Sequence, residues 1–87
     1  MFGRNWVRID NIYYHTSRVI CTRRQLKLFL HDGENVHHLR FGKPDYTFTL
    51  DGSLAKDVSF SPALKNLLIR GCPLWYFEFQ MSEKENV

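Results

Sequence analysis

Histidine and cysteine are the side chains of this 87-residue sequence that could bind a metal, and it has four histidines and two cysteines. His37 and His38 are neighbours on a predicted strand, where successive side chains point to opposite faces, so the two rings diverge. A metal site would need His31 and His38 on one face, together with a third ligand from elsewhere. The spacing supplies no such ligand. We therefore expect that no metal binds and that the histidines are exposed to solvent.

Cys21 and Cys72 are far apart and lack the short spacing of metal-binding cysteines. A disulfide between them stays open as an alternative, but two free thiols in a reducing compartment are favoured. Cys72 follows a predicted helix, whose negative C-terminal end disfavours a thiolate nucleophile. The sequence also lacks the glycine-rich phosphate-binding loops and the HExxH and CxxC motifs. We therefore predict a non-enzymatic protein that uses no cofactor.

The positive charge of the chain belongs to its N-terminal half. Residues 1–43 contain eight Lys and Arg against three Asp and Glu, whereas residues 44–87 contain four against six. Trp, Tyr and Arg are also the side chains that dominate interface hot spots, and a small core cannot easily bury all of these aromatics. The predicted partner-binding residues combine both types: Arg4, Trp6, Arg8, Tyr14, Arg18, Arg23, Arg24, Lys27, Phe29, His38 and Arg40.

Two classes of macromolecular partner fit these residues. The favoured class is a protein, including a second copy of this chain, in an accessory or regulatory role of the kind that viral and phage proteins fill. The alternative is a nucleic acid bound by a basic and aromatic sheet face. Both interpretations use the same surface.

A β-hairpin from Gln25 to Gly42 is the element that must position this surface. Its first arm alternates at period 2 with three leucines on one face, and an Asp-Gly pair marks the turn. With residues 32–35 as the loop, His31 lies opposite Val36, and the three leucines lie opposite Phe41, Leu39 and His37. This register turns Lys27, Phe29, His38 and Arg40 outward and places Lys27 opposite Arg40.

One helix is predicted at about residues 62–70, because Ser61 can cap it, Pro62 suits its first turn and Gly71 can end it. Residues 74–81 are expected to form a final strand. The fold class is therefore α+β: a small, mostly antiparallel sheet of five to six strands, with a half-barrel as an alternative, one helix near the C-terminus and a strand after it. The predicted core is Leu26, Leu28, Leu30, Leu39, Phe41, Phe48, Leu64, Leu67, Leu68, Phe77 and Phe79.

Length and composition complete the expectations. We predict one α+β domain over residues 1–81 and a frayed, charged tail over residues 82–87. The N-terminus lacks the apolar segment of a signal peptide, and no run approaches the roughly 18 apolar residues of a membrane span. These features predict a cytoplasmic protein that does not enter a membrane.

Overall fold

The computed structural model describes residues 4–43 and 45–76, which form seven strands and one helix. In chain order the elements are β1 Trp6–Ile9, β2 Ile12–Cys21, β3 Gln25–Asp32, β4 Asn35–Gly42, β5 Thr47–Leu50, β6 Ser53–Leu54, β7 Val58–Phe60 and α1 Pro62–Gly71. All strand pairs are antiparallel and belong to one sheet of order β6-β5-β4-β3-β2-β1-β7. An antiparallel sheet with one helix near the C-terminus is confirmed. The prediction of five to six strands is wrong, because two short stretches after β5 also pair.

The predicted hairpin register of β3 and β4 is confirmed residue by residue. Leu28 pairs with Leu39 and His31 with Val36, and the strands close at the pair Asp32–Asn35. Gly33, the first of the two turn residues, has φ +63°, which suits the glycine position of a type II′ turn. The side chains of Leu26, Leu28 and Leu30 are completely buried.

The first hairpin turns at Asp10 and Asn11, which both adopt positive φ and lie between the paired residues Ile9 and Ile12. Short polar side chains tolerate this left-handed backbone better than other non-glycine residues. Beyond the turn, β2 runs as one strand from Ile12 to Cys21. A β-bulge at Ser17 absorbs the irregularity there, since the pairing with β3 shifts between Thr16 and Arg18.

The sheet is rolled, because its two edge strands are joined by three residues. A flat sheet would separate β6 from β7 by six strand spacings, about 29 Å. The four Cα–Cα steps from Leu54 to Val58 span at most about 15 Å. Phe48 on β5 and Phe60 on β7 meet across the interior, with ring centroids 5.6 Å apart. The half-barrel alternative is therefore the observed form.

Helix α1 begins as predicted. The Ser61 hydroxyl accepts from the backbone N–H of Leu64 at 3.2 Å and donates to the carbonyl of Arg4 at 2.7 Å. The helix packs through Leu64 and Leu68, whereas Leu67, at the margin of that stripe, is 51% exposed, so its placement in the core is wrong.

The end of α1 differs from the expected left-handed cap at Gly71. The helix includes Gly71, and the extended Cys72 caps it, its N–H donating to the carbonyl of Leu68 at 2.9 Å. A residue that precedes proline is driven out of the helical region, and Pro73 follows.

The predicted final strand is contradicted where the structure describes it. Residues 74–76 are helical, and Trp75 and Tyr76 are buried in the core. Trp75 stacks on Phe41 with centroids 5.5 Å apart and donates its indole N–H to the carbonyl of Thr22 at 3.3 Å. The alternating aromatic pattern suggested a strand, but its first aromatic side chains fill the barrel from a helical backbone. The rest of that segment, including Phe77 and Phe79, and the tail lie outside the described residues.

Cys21 and Cys72 form a disulfide, with their Cα atoms 5.6 Å apart. The expectation of two free thiols is therefore wrong. The sequence separation of 51 residues concealed the pairing, because only the rolled sheet brings the end of β2 next to the end of α1.

The core surrounds the three leucines of β3. Its buried members are Val7, Ile9, Tyr14, Leu26, Leu28, Leu30, Leu39, Phe41, Phe48, Phe60, Leu64, Leu68, Trp75 and Tyr76. In the described part of the chain, no helix combines the length and the apolar character that crossing a bilayer requires.

We expect Leu28→Ala to lower the free energy of unfolding by about 2–5 kcal/mol, because its side chain is fully buried and the truncation leaves a cavity. Leu54→Ala is the matched control, since Leu54 is 62% exposed, and it should cost about 0.5 kcal/mol or less. Urea unfolding of both variants measures the difference. Equal effects would show that the leucine face of β3 is not the core.

Removing the disulfide with the double variant Cys21→Ser and Cys72→Ser should lower the free energy of unfolding by about 2–4 kcal/mol, since the bond closes a long loop. Addition of reductant to the unsubstituted protein should give the same decrease and should leave the variant unchanged. Urea unfolding with and without dithiothreitol measures this. If dithiothreitol left the unfolding of the unsubstituted protein unchanged, the disulfide assignment would be contradicted.

Candidate functional site

The side of the sheet that points away from the core is the candidate site, and we call it the outer face. It is built by alternation, because each residue between two buried strand positions must point outward. Its members on β1–β5 are Trp6, Arg8, Tyr13, His15, Arg18, Ile20, Gln25, Lys27, Phe29, His31, Val36, His38, Arg40, Thr47 and Thr49.

The half-buried ring of Phe29 lies at the centre of the outer face. The Lys27 ammonium lies 5.1 Å from the ring centroid and the Arg18 guanidinium carbon 5.7 Å from it, both over the ring. His38 contacts the ring edge to face, with centroids 4.9 Å apart. Cations at these distances are attracted to the negative face of the ring. The aromatic ring therefore collects positive charge around itself.

Like charges face each other beside this ring. Lys27 on β3 is the direct cross-strand partner of Arg40 on β4, as the hairpin register predicts. Such a pair destabilises a sheet slightly. The outward residues of β2–β5 include no Asp or Glu, and the described residues provide no salt bridge to Arg18, Lys27 or Arg40. Among the residues that the structure describes, this part of the outer face therefore has no carboxylate that compensates its positive charge.

The structure brings seven of the predicted partner-binding residues onto the outer face: Trp6, Arg8, Arg18, Lys27, Phe29, His38 and Arg40. Arg8 differs from the other cations because its guanidinium already makes hydrogen bonds within the protein. Its guanidinium donates to Asp57 at 3.2 Å and to Ser59 at 2.7 Å. Arg8 therefore stabilises the junction of β1 with β7 and adds little free charge.

Tyr14 is a predicted site residue that the structure buries, contrary to the expected exposure. It is only 6% exposed, because it pairs with Val7 on the core side of β1 and β2. Its ring contacts His37 with centroids 5.4 Å apart. The sequence suggested exposure because the aromatics seemed too numerous for the core, but the rolled sheet has room for this one.

Three predicted arginines lie beyond the sheet face. Arg4 precedes β1, and β2 separates that strand from β3. Arg23 and Arg24 are exposed in the turn between β2 and β3, where the Thr22 hydroxyl accepts from the backbone N–H of Arg24 at 3.3 Å. Arg23 and Lys43 line an open cleft of about 720 Å³ beside the disulfide and Trp75. These arginines extend the positive charge past the end of the sheet without joining the central group.

The predicted partner-binding residues omit three aromatic side chains of the outer face, Tyr13, His15 and His31, although the hairpin register already turns His31 outward. The His15 and His31 rings lie 6.3 Å apart, and His31 is hydrogen-bonded to Ser17. Tyr13 contacts Trp6 edge to face at 5.0 Å. Alternation along residues 12–16 could have identified Tyr13 and His15, had that stretch been treated as one strand with the segment that follows it.

His37 lies on the opposite side of β4 and joins an acidic cluster. Its Nδ1 donates to Asp51 Oδ2 at 2.6 Å, and its Nε2 lies 4.0 Å from Asp32 Oδ2. The hydrogen bonds from the His38 backbone N–H and from the His37 ring hold the pKa of Asp51 below its usual value. Burial, and then the charges of Asp32, Asp51 and Asp10, raise the pKa of Tyr14. The cluster links the β5–β6 turn to β4 through these hydrogen bonds.

The described residues do not form a metal-binding site. Among residues 4–43 and 45–76, no group of three or more His, Cys, Asp or Glu side chains is arranged to hold a metal ion.

No known protein family, curated protein or solved structure matches this chain. Any statement about its function therefore depends on the chemistry of its own surface.

The lowered pKa of Asp51 gives a direction for acid stability. A carboxyl whose folded pKa lies below its unfolded value of about 3.8 stabilises the fold above that pH. The stabilisation is lost as the pH falls through the folded pKa. Asp51→Asn should therefore lose less stability than the unsubstituted protein between pH 4 and pH 2. The difference should be roughly 0.2–1 kcal/mol, because the carboxyl is half exposed.

Urea unfolding at several pH values measures this difference. Asp10→Asn is the matched control, because this exposed turn residue also adopts positive φ and its side chain can be replaced isosterically. Identical acid profiles for Asp51→Asn and Asp10→Asn would show that the hydrogen bonds to Asp51 do not stabilise the fold.

Proposed function

We propose that this protein is a small, non-enzymatic binding or regulatory protein that engages an anionic macromolecule through the outer face. The observation that carries the proposal is the group of Arg18, Lys27 and Arg40 on three adjacent strands around Phe29, with no carboxylate among the outward residues of β2–β5. An anionic partner would relieve the repulsion between Lys27 and Arg40.

The positive charge on the outer face is better explained by binding of an anion than by a role in keeping the sheet soluble. Scattered cations that keep a sheet soluble are usually interspersed with acids. Here two of the described acidic residues already pair with other groups, Asp57 with Arg8 and Asp51 with His37. Separation of the two signs leaves a field that attracts anions to β2, β3 and β4.

A protein partner, including a second copy of this chain, is the first class that the sequence favours. One structural observation supports it: Trp6 on β1 and Tyr13 on β2 pack edge to face on the outer face, and Tyr13 is 42% exposed. These aromatic side chains can anchor a partner by apolar contact, while the cations of the outer face favour a partner with an acidic surface. The burial of Tyr14 removes one of the aromatic anchors on which the sequence argument relied.

The expected cytoplasmic location also remains a proposal. The Cys21–Cys72 disulfide is the observation that argues against it, because disulfides persist mainly in oxidising compartments. The outer face itself does not depend on the compartment.

Heparin, a generic polyanion, tests whether the outer face is the anion-binding surface. We expect the double variant Lys27→Glu and Arg40→Glu to elute from a heparin column at a clearly lower salt concentration than the unsubstituted protein. The matched control is Lys65→Glu with Arg70→Glu on α1, which changes the net charge equally at exposed positions. If both double variants elute together, only net charge matters and the outer face is a solvated surface.

A further inference from the structure

We propose that the anionic partner is a single-stranded nucleic acid, with phosphates bound by Arg18, Lys27 and Arg40 and a base stacked on Phe29. This inference rests on the proposed function of the outer face and names its partner.

The three cations have a spacing that suits a chain of phosphates. They occupy β2, β3 and β4, which follow one another in the sheet, and neighbouring strands lie about 4.8 Å apart. The cationic row is therefore roughly 10 Å wide before the long side chains are counted. Phosphates along a flexible strand can reach all three charges together.

Phe29 supplies an aromatic ring on which a base can stack, which a purely charged surface lacks. Its ring lies between the cations, and Arg18 is its direct cross-strand neighbour. A cation–π contact on a partly exposed ring is weaker than a charge-assisted hydrogen bond to phosphate. A phosphate can therefore draw Lys27 and Arg18 off the ring, and a base can take their place. Stacking on an aromatic ring between cations is how proteins hold single strands without reading their sequence.

The shape of the outer face favours a single strand over a duplex. The outside of a rolled sheet is convex, so a straight, stiff duplex would touch only a narrow strip of it, whereas a flexible strand can follow the curve. Bases inside a duplex are also stacked on one another and cannot reach Phe29. An acidic peptide could pair with the cations, but Asp and Glu side chains offer no flat ring for Phe29, whereas a nucleic acid has a base beside every phosphate.

The test is fluorescence anisotropy with a labelled ten-nucleotide oligothymidylate, across a series of NaCl concentrations. Three phosphate contacts on a single strand predict that log K falls with log[NaCl] with a slope of about −2. Arg18→Gln, Lys27→Gln and Arg40→Gln should each make this slope shallower by about 0.7. Lys65→Gln on α1, an exposed cation distant in sequence from the outer face, should leave it unchanged.

Stacking is tested with an abasic ten-mer that has the same phosphates and no bases. The unsubstituted protein should bind oligothymidylate about fivefold to a hundredfold more tightly than the abasic strand. Phe29→Leu should abolish this preference and keep the salt slope, with Ile69→Ala on α1 as an exposed apolar control. The comparison of the two strands needs only the unsubstituted protein, so it remains decisive if the Phe29 variant fails to fold.

Each other outcome overturns the inference in a recognisable way. Equal binding of the thymidylate and abasic strands excludes stacking, and tighter binding of a ten-base-pair duplex excludes a single strand. Polyglutamate bound as tightly as oligothymidylate at equal charge and salt identifies an acidic protein as the partner. In these three cases the outer face still binds anions and the proposed function stands. If no polyanion depends on Arg18, Lys27 or Arg40, both proposals fail.

Discussion

The packing of the β3 leucines against β4 is the constraint on which the rest of the structure depends. Leu26, Leu28 and Leu30 are fully buried and lie opposite Phe41, Leu39 and His37. A slip of one residue would move all three leucines to water and turn the charged face inward, so the register is strongly determined. The outer face follows directly, because burying these positions obliges the residues between them to point outward.

Closure of the rolled sheet depends on contacts far apart in sequence. Ser61 contributes to it, since its N–H donates to the carbonyl of Trp6 at 2.9 Å and its hydroxyl caps α1. The Cys21–Cys72 disulfide attaches the other end of α1 to β2. Trp75, stacked on Phe41, fills the interior beside it. A domain of this size buries a limited share of its surface, so such ties contribute much of its stability.

The sequence pattern predicted those features that depend on residues close together in the chain. The register of β3 with β4, the Ser61 cap and the opposition of Lys27 and Arg40 all follow from period-2 alternation and turn chemistry. The bulge at Ser17, the pairing of β7 with β1 and the disulfide depend on the rolled sheet, which no local pattern encodes. For the same reason, only part of the candidate site could be predicted from the sequence. Its hairpin residues were predictable from alternation within the hairpin, whereas the placement of His15 and Tyr13 on the outer face, and the burial of Tyr14, also required the knowledge that residues 12–21 form one strand.

The opposed cations on the outer face are a local conflict that the fold tolerates. Replacing Lys27 or Arg40 by an acid would relieve the repulsion without disturbing the leucines, since both side chains lie outside the core. The structure instead brings Lys27 and Arg18 over Phe29, where the ring offers weak compensation. Acidic side chains in the described residues satisfy other groups, as Asp51 does for His37 and Asp57 for Arg8. Local conflicts with no compensating partner in a folded protein tend to occur at functional sites. The separation of charge is therefore the strongest physical argument that the outer face binds an anionic partner.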